Sequence, residues 1–283
     1  MAQFHITHVI PHDKLHILNG YNDVIRTIFW GLRGIGHDVT YAVNQCRADA
    51  RNIIFGANMA HQSLVDGWPD NTILYNLEQV APFLEVPQAR AALLRLSNRF
   101  EIWDYSQANI QHWRQLNPHC SAKYVPIGFA PILENINPSD GQDIDVLIYG
   151  GPSKNRLDVF TEICLHGMTA LYCFGLYGDA RGELIARSKL VLNISHGHAE
   201  IFSIVRVSYL LANHKAVISD LNEGMFIEPD LQGALHFASL EEFPSACLHY
   251  LRDDDARRHL EEAAYAAMTK RDIRPILALA LRD

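Results

Sequence analysis

The chain has 283 residues, 48% of them apolar and 20% charged, with a net charge of −8. This is the composition of a soluble globular protein of two medium domains or one large one. It argues against general nucleic-acid affinity, which needs basic surface, and no apolar run reaches the roughly 20 residues of a transmembrane helix.

Residues 4–10 read as a first strand and residues 11–21 as a polar loop. Asp23 is placed to cap a helix whose apolar stripe is Val24, Ile25, Ile28, Phe29, Leu32 and Ile35. Gly36-His37-Asp38 ends that helix, and residues 39–43 form a second strand. The loop of this β-loop-α-β unit carries Asn19-Gly20 but no GxGxxG, so the dinucleotide fingerprint is missing from its usual place. Short strands follow at 53–55, 72–75, 100–103 and 123–126, with helices over 87–97 and 106–115. Polar groups stand at two strand ends: Asn76-Leu77-Glu78-Gln79, and Asp104-Tyr105-Ser106, whose serine caps the next helix. Residues 130–143, with two prolines and a turn-rich end, read as a domain linker.

The pattern restarts with a buried strand at 145–149, followed by the turn Gly150-Gly151-Pro152-Ser153-Lys154-Asn155-Arg156 and a helix over 155–166. A strand at 171–174 leads into Gly175-Leu176-Tyr177-Gly178-Asp179 and a helix at 180–187. Residues 190–194 form a strand, 195–200 a small polar loop, 201–212 a helix and 216–219 a strand. A strand at 235–237, helices near 240–251 and 254–268, and a detached helix at 275–281 complete the chain. Such alternation implies mainly parallel sheets covered on both faces, the α/β class. Ligands of these sheets bind at the carboxyl ends of strands, and a helix N-terminus there favours an anion. The loop at 195–200 is therefore expected to face an anion such as a diphosphate.

Five cysteines (Cys46, Cys120, Cys164, Cys173, Cys247) lack paired spacing, as free thiols of a reducing compartment do. No signal peptide is expected, and the expected location is the cytoplasm. His196 and His198 have the i, i+2 spacing of a metal pair, but no carboxylate or cysteine is spaced to complete the site, so no metal is expected.

The second half resembles the nucleotide-sugar-binding domain of GT-B glycosyltransferases, closest to the group-1 type and its spore-protein (CgeB-like) relatives. The resemblance is carried by Tyr149-Gly150-Gly151-Pro-Ser-Lys154-Asn-Arg156, Gly175-Leu-Tyr177-Gly178, Ser188-Lys-Leu-Val-Leu-Asn193, Ile201-Phe-Ser-Ile-Val-Arg206 and Leu211-Ala-Asn-His-Lys-Ala-Val-Ile-Ser-Asp220. Leu32-Arg-Gly-Ile-Gly36-His37-Asp-Val39-Thr40 is more loosely similar to the acceptor-side domain.

The resemblance implies two Rossmann-like domains facing each other across a cleft: residues 1–132 on the acceptor side, 143–270 for the nucleotide sugar, and a helix at 271–283 crossing back to the first. It also implies transfer of a sugar from a nucleotide-diphosphate-sugar donor to an unidentified acceptor (a glycan, a lipid-linked saccharide or a protein), without a metal or a separate cofactor. A lipid-linked acceptor needs only a small peripheral patch on the membrane.

Arg206, Lys154 and Arg156 are the candidate phosphate-binding cations, and Gly150 and Gly151 allow close backbone approach. Tyr177 and Gly178 resemble the nucleobase turn, while Ser195, His196, His198, Glu200, Ile201, Phe202 and Ser203 line the donor loop. For a general base the candidates are His12, Asp13, His16 and Glu78, at strand carboxyl ends. Front-face attack with retention would need no protein base, because the donor phosphate accepts the proton. The second glutamate of the donor helix, eight positions after Glu200, is replaced by Ser208. A catalytically inactive nucleotide-sugar-binding module and a sugar-nucleotide epimerase of the same fold therefore remain as alternatives.

Overall fold

The structure, a computed structural model, describes residues 2–11, 20–137, 139, 141–197 and 199–282. The chain divides into two compact units, Met1–Ala130 with Asp272–Asp283, and Pro131–Arg271.

The first unit runs β1 (Gln3–His8), α1 (Asn22–Gly34), β2 (Asp38–Val43), β3 (Arg51–Phe55), α2 (Gln62–Asp66), β4 (Ile73–Asn76), α3 (Ala81–Leu84), α4 (Pro87–Arg99), β5 (Glu101–Asp104), α5 (Gln107–Leu116) and β6 (Ala122–Tyr124). Its six strands pair in the order β2-β1-β3-β4-β5-β6, every pair parallel. Ile53, Ile54 and Phe55 are all fully buried, because helices cover both faces of the sheet and both side-chain sets must be apolar. The strand order reverses between β1 and β3, the position where such sheets open a crevice.

Ser106 caps α5 as expected, its hydroxyl accepting from Ala108 N. Asp23 does not cap α1. Tyr21 occupies the N-cap, and Asp23 sits within the first turn, where a negative charge still complements the helix dipole.

The second unit runs β7 (Ile144–Tyr149), α6 (Lys154–Leu165), β8 (Ala170–Cys173), α7 (Gly178–Arg187), β9 (Ser188–Asn193), α8 (Ile204–Ala212), β10 (Ala216–Asp220), β11 (His236–Ala238), α9 (Phe243–Arg252) and α10 (Asp254–Thr269). Its five parallel strands pair as β11-β10-β9-β7-β8, with the reversal between β7 and β9. Val146, Ile148, Leu190, Leu192, Ala216 and Ile218 form the strand side of its core, packed by Val159, Ile163, Phe243 and Cys247 from the helices.

Residues 133–136 are tied to this unit. Asn213 Oδ1 accepts from the amides of Asn135 and Ile136 at 3.1 and 3.0 Å, and its Nδ2 donates to the carbonyl of Leu133 at 2.8 Å.

The final helix, α11 (Ile273–Ala280), belongs to the first unit and packs on α1. Gly31 permits the approach: a Cβ there would stand 2.7 Å from both Ile273 Cγ2 and Leu277 Cδ1.

Helix α8 starts three residues later than its apolar period suggests. Ile201 forms a parallel bridge with Phe226, whose amide donates to the Glu200 carbonyl at 2.7 Å and whose carbonyl accepts from Phe202 N at 3.1 Å. With these backbone groups paired to the following loop, residues 200–202 are held extended.

Candidate functional site

At the reversal point of the second sheet, Gly150-Gly151 follow directly on β7, and β9 ends in Asn193. Ser153 caps α6, its hydroxyl accepting from Arg156 N, and this sets the first turn of the helix so that Arg156 points into the sheet end. The Arg156 side chain is 2% exposed. Its Nε donates to the Ile194 carbonyl at 2.8 Å and its Nη1 to the Gly151 carbonyl at 2.5 Å, so one guanidinium ties the ends of β7 and β9 together.

Gly150 is required by this arrangement. Its φ is +133°, and a Cβ would lie 2.9 Å from Arg156 Nη1. Gly151 has open space where a Cβ would project.

Arg206, in the first turn of α8, is half-buried, and its Nη1 reaches Asn193 Oδ1 at 3.4 Å. Asn193 is fixed in turn by donating to Ser219 Oγ at 2.9 Å. Burial first, and then repulsion from the Arg206 charge, lower the pKa of Arg156 to about 10, which leaves it cationic at neutral pH. Neither guanidinium has a carboxylate ion-pair partner among the described residues. The nearby acid, Asp220, is turned to the loop instead. Its carboxylate accepts from Ser195 N at 3.0 Å and from Ser195 Oγ at 3.3 Å, and burial raises its pKa against those bonds. Asp220 attracts Arg156 from beyond salt-bridge distance, so the two neighbouring cations, beside exposed backbone and a helix start, make a place for an anion.

The other residues singled out from the sequence are distributed as follows. Lys154 does not join this cluster: it is 85% exposed and pairs with Asp158 one turn along α6. Ser195 is buried against Asp220, while His196 and Glu200 are exposed. Ile201 and Phe202 are core residues, Phe202 packing edge-on against Phe237 at 5.6 Å. Ser203 occupies the N-cap of α8 without a side-chain cap bond. Tyr177 precedes α7 and is half-buried, and Gly178 is exposed with a φ of +60°. Ser208 is buried and donates to Val205 O at 3.4 Å within α8. Its neighbour Tyr209 is locked under the Arg181 guanidinium and donates to Asn135 Oδ1. His12, His16, Asp13 and His198 lie outside the described residues.

In the first unit, Glu78 accepts a short hydrogen bond from Tyr21 OH. Asn76 and Asn109 donate to the Glu78 carbonyl and also to Asp104, which further accepts from Trp113 Nε1 at 2.8 Å and Ser106 N at 2.9 Å. Burial pushes the Asp104 carboxyl up to about 7, against the pull of these four donors. The network anchors the carboxyl ends of β4 and β5.

The reading of the sequence passed over His8. It ends β1 at the reversal point, is 1% exposed, and lies 5.7 Å from the Tyr21 ring. Neither ring nitrogen has a hydrogen-bond partner among the described residues. A histidine within a strand of alternating polar and apolar residues gives no hint of such isolation.

The two parallel sheets, each reversing once, define the GT-B fold of paired Rossmann-like units. Solved structures match along nearly the whole chain. Alr3699/HepE of Anabaena, in complex with UDP and glucose, has a TM-score of 0.67 at 13% identity over 98% of each chain. Sucrose-phosphate synthase from Thermosynechococcus elongatus has a TM-score of 0.62 at 9% identity, over 100% of this chain and 98% of that one. WaaG, a glycosyltransferase involved in lipopolysaccharide biosynthesis, has a TM-score of 0.62 at 11% identity over 99% and 98%. No protein-family model and no curated protein matches the sequence.

Proposed function

We propose that the chain is a glycosyltransferase that takes a sugar from a nucleotide-diphosphate-sugar donor and passes it to an acceptor hydroxyl on a glycan, lipid-linked saccharide or protein. The observation that carries this reading is the Arg156–Arg206 pair, with no carboxylate of the described residues at salt-bridge distance, set between the glycine turn after β7 and the start of α8. As the glycosidic bond breaks, negative charge grows on the diphosphate, and preorganised guanidinium groups stabilise it. Arg206 has donors to spare for phosphate oxygens, whereas Arg156 spends Nε and Nη1 on carbonyls and contributes mainly its charge and the shape of the turn. In this reading the cations do the work of a metal, and the reaction proceeds in the presence of EDTA. The UDP bound by HepE makes UDP the first nucleotide to try.

The test is calorimetric titration of UDP into the wild type and Arg206→Ala, with transfer from UDP-glucose followed in parallel. The reading expects about a tenfold or greater loss of UDP affinity at unchanged melting temperature. Equal affinity in the two proteins would remove Arg206 from the diphosphate site. Activity abolished by EDTA would overturn the metal-free mechanism.

A further inference from the structure

We propose that a second pocket of the Pro131–Arg271 unit, at the amino ends of β9 and β10, binds a neutral carbohydrate. It lies at the opposite end of the sheet from the Arg156–Arg206 pair and has a volume of about 460 Å3, large enough for a small ligand.

Two opposite charges, Lys215 and Glu261, line it and attract each other without a direct hydrogen bond or salt bridge. Lys215, directly before β10, is 6% exposed, and its Nζ donates to the Ser188 carbonyl at 2.9 Å. Its other two N–H groups have no acceptor among the described residues. Glu261, on α10, carries a mostly buried carboxylate that accepts no hydrogen bond among the described residues, its nearest cation being Arg257 Nε at 3.9 Å. Burial lowers the pKa of Lys215 to about 8 and raises that of Glu261, and the attraction between the two charges offsets this only in part. Buried donors and acceptors left open are costly unless something fills them.

The rest of the lining identifies the occupant. Gln142 donates to the same Ser188 carbonyl at 3.0 Å, which places its amide beside the ammonium, its amide oxygen accepting no hydrogen bond among the described residues. Tyr265 and His214 stack at 3.7 Å with their planes 18° apart and form an aromatic wall. Glu134, whose carboxylate accepts from Tyr265 OH, adds a second acid.

Cation and anions on one small surface give no single-signed field, so neither a polyanion nor a polycation gains by entering. A hydroxyl both donates and accepts. Set between Lys215 and Glu261, it would accept a hydrogen bond from the ammonium and donate one to the carboxylate, and a sugar presents several hydroxyls around a face that packs on an aromatic ring. The inference uses no residue of the proposed donor site and stands or falls separately from it.

The experiment is an NMR titration of the full-length 15N-labelled protein, saturated with UDP, against glucose, galactose, mannose, N-acetylglucosamine and maltose. Glycine and inorganic phosphate serve as controls. At least one sugar is expected to bind saturably with a Kd of about 10 mM or tighter, shifting amides of residues 213–215 and 261–265. Lys215→Met and Glu261→Gln, each checked for an intact fold by its spectrum, should weaken that binding about tenfold and leave UDP affinity unchanged. Absence of saturable sugar binding would overturn the proposal. So would sugar binding indifferent to both variants, or preferential binding of glycine or phosphate at these amides.

Discussion

His8 makes the stability of the chain depend on acid in a calculable way. It is 1% exposed, its two ring nitrogens have no partner among the described residues, and burial pushes its pKa from 6.5 down to about 4. The folded state therefore holds His8 neutral through a range in which the unfolded chain binds a proton. Between pH 6.5 and 4 the unfolded state carries more protons, so stability falls as pH falls through that window and the effect saturates below it. At about 1.4 kcal/mol per pH unit, the fall from 6.5 to 4 amounts to roughly 3 kcal/mol. His8→Phe keeps an aromatic ring against Tyr21 and removes the titrating group. Urea denaturation of both proteins at half-unit steps from pH 4 to pH 8 isolates the term, because every other histidine is common to the pair. The variant should be at least as stable as the wild type at pH 7, where it sheds an unpaired buried N–H, and should gain roughly 3 kcal/mol on it by pH 4. Parallel curves would refute the reasoning and mean that the His8 imidazole finds a proton acceptor or water in the folded protein.

Arg156→Met should lower stability by about 2 kcal/mol, because it orphans the buried carbonyl of Ile194 and removes the bond to the exposed Gly151 carbonyl; chemical denaturation measures it, and a loss below about 1 kcal/mol would mean the guanidinium does not join the ends of β7 and β9. Gly31→Ala forces a methyl to within 2.7 Å of Ile273 and Leu277 and should cost about 1–3 kcal/mol, read as a lower melting temperature, if α11 is seated on α1 as described. Asn213→Ala removes the side chain that holds residues 133–136 and should cost about 2 kcal/mol, with faster amide exchange at Asn135 and Ile136.

The alternation of strands and helices was legible because the central strands, such as β3, β7 and β10, are buried on both faces and read as short apolar runs, and helices such as α1 keep one apolar stripe. Asp145–Tyr149 and the described strand β7 differ by one residue, and α10 differs by one at its end. What escaped was fixed by partners distant in sequence. The start of α8 depends on Phe226, which takes up the backbone groups of residues 200–202. The return of α11 to the first unit was expected from the family resemblance alone; its seat depends on a glycine in α1 some 240 residues earlier. Local period carries neither piece of information.

The site divides in the same way. Gly150, Gly151, Arg156 and Arg206 could be picked out because glycine and arginine after a buried strand have a chemical purpose there. The choice between Lys154 and Arg156 needed helix geometry. Residues two apart on a helix point about 200° from each other, so only one of the pair can face the sheet. Asp158, four residues after Lys154, marks that residue's face as the wet one. Arginine also suits the inner position on chemical grounds. Its rigid fork reaches two carbonyls just beyond different strands at once while remaining charged, and a lysine ammonium at the end of a flexible stem does not. Arg156→Lys is therefore not conservative here. It keeps the charge near Arg206 and loses the bridge, so the turn at Gly150-Gly151 would open although the electrostatic attraction for an anion stayed.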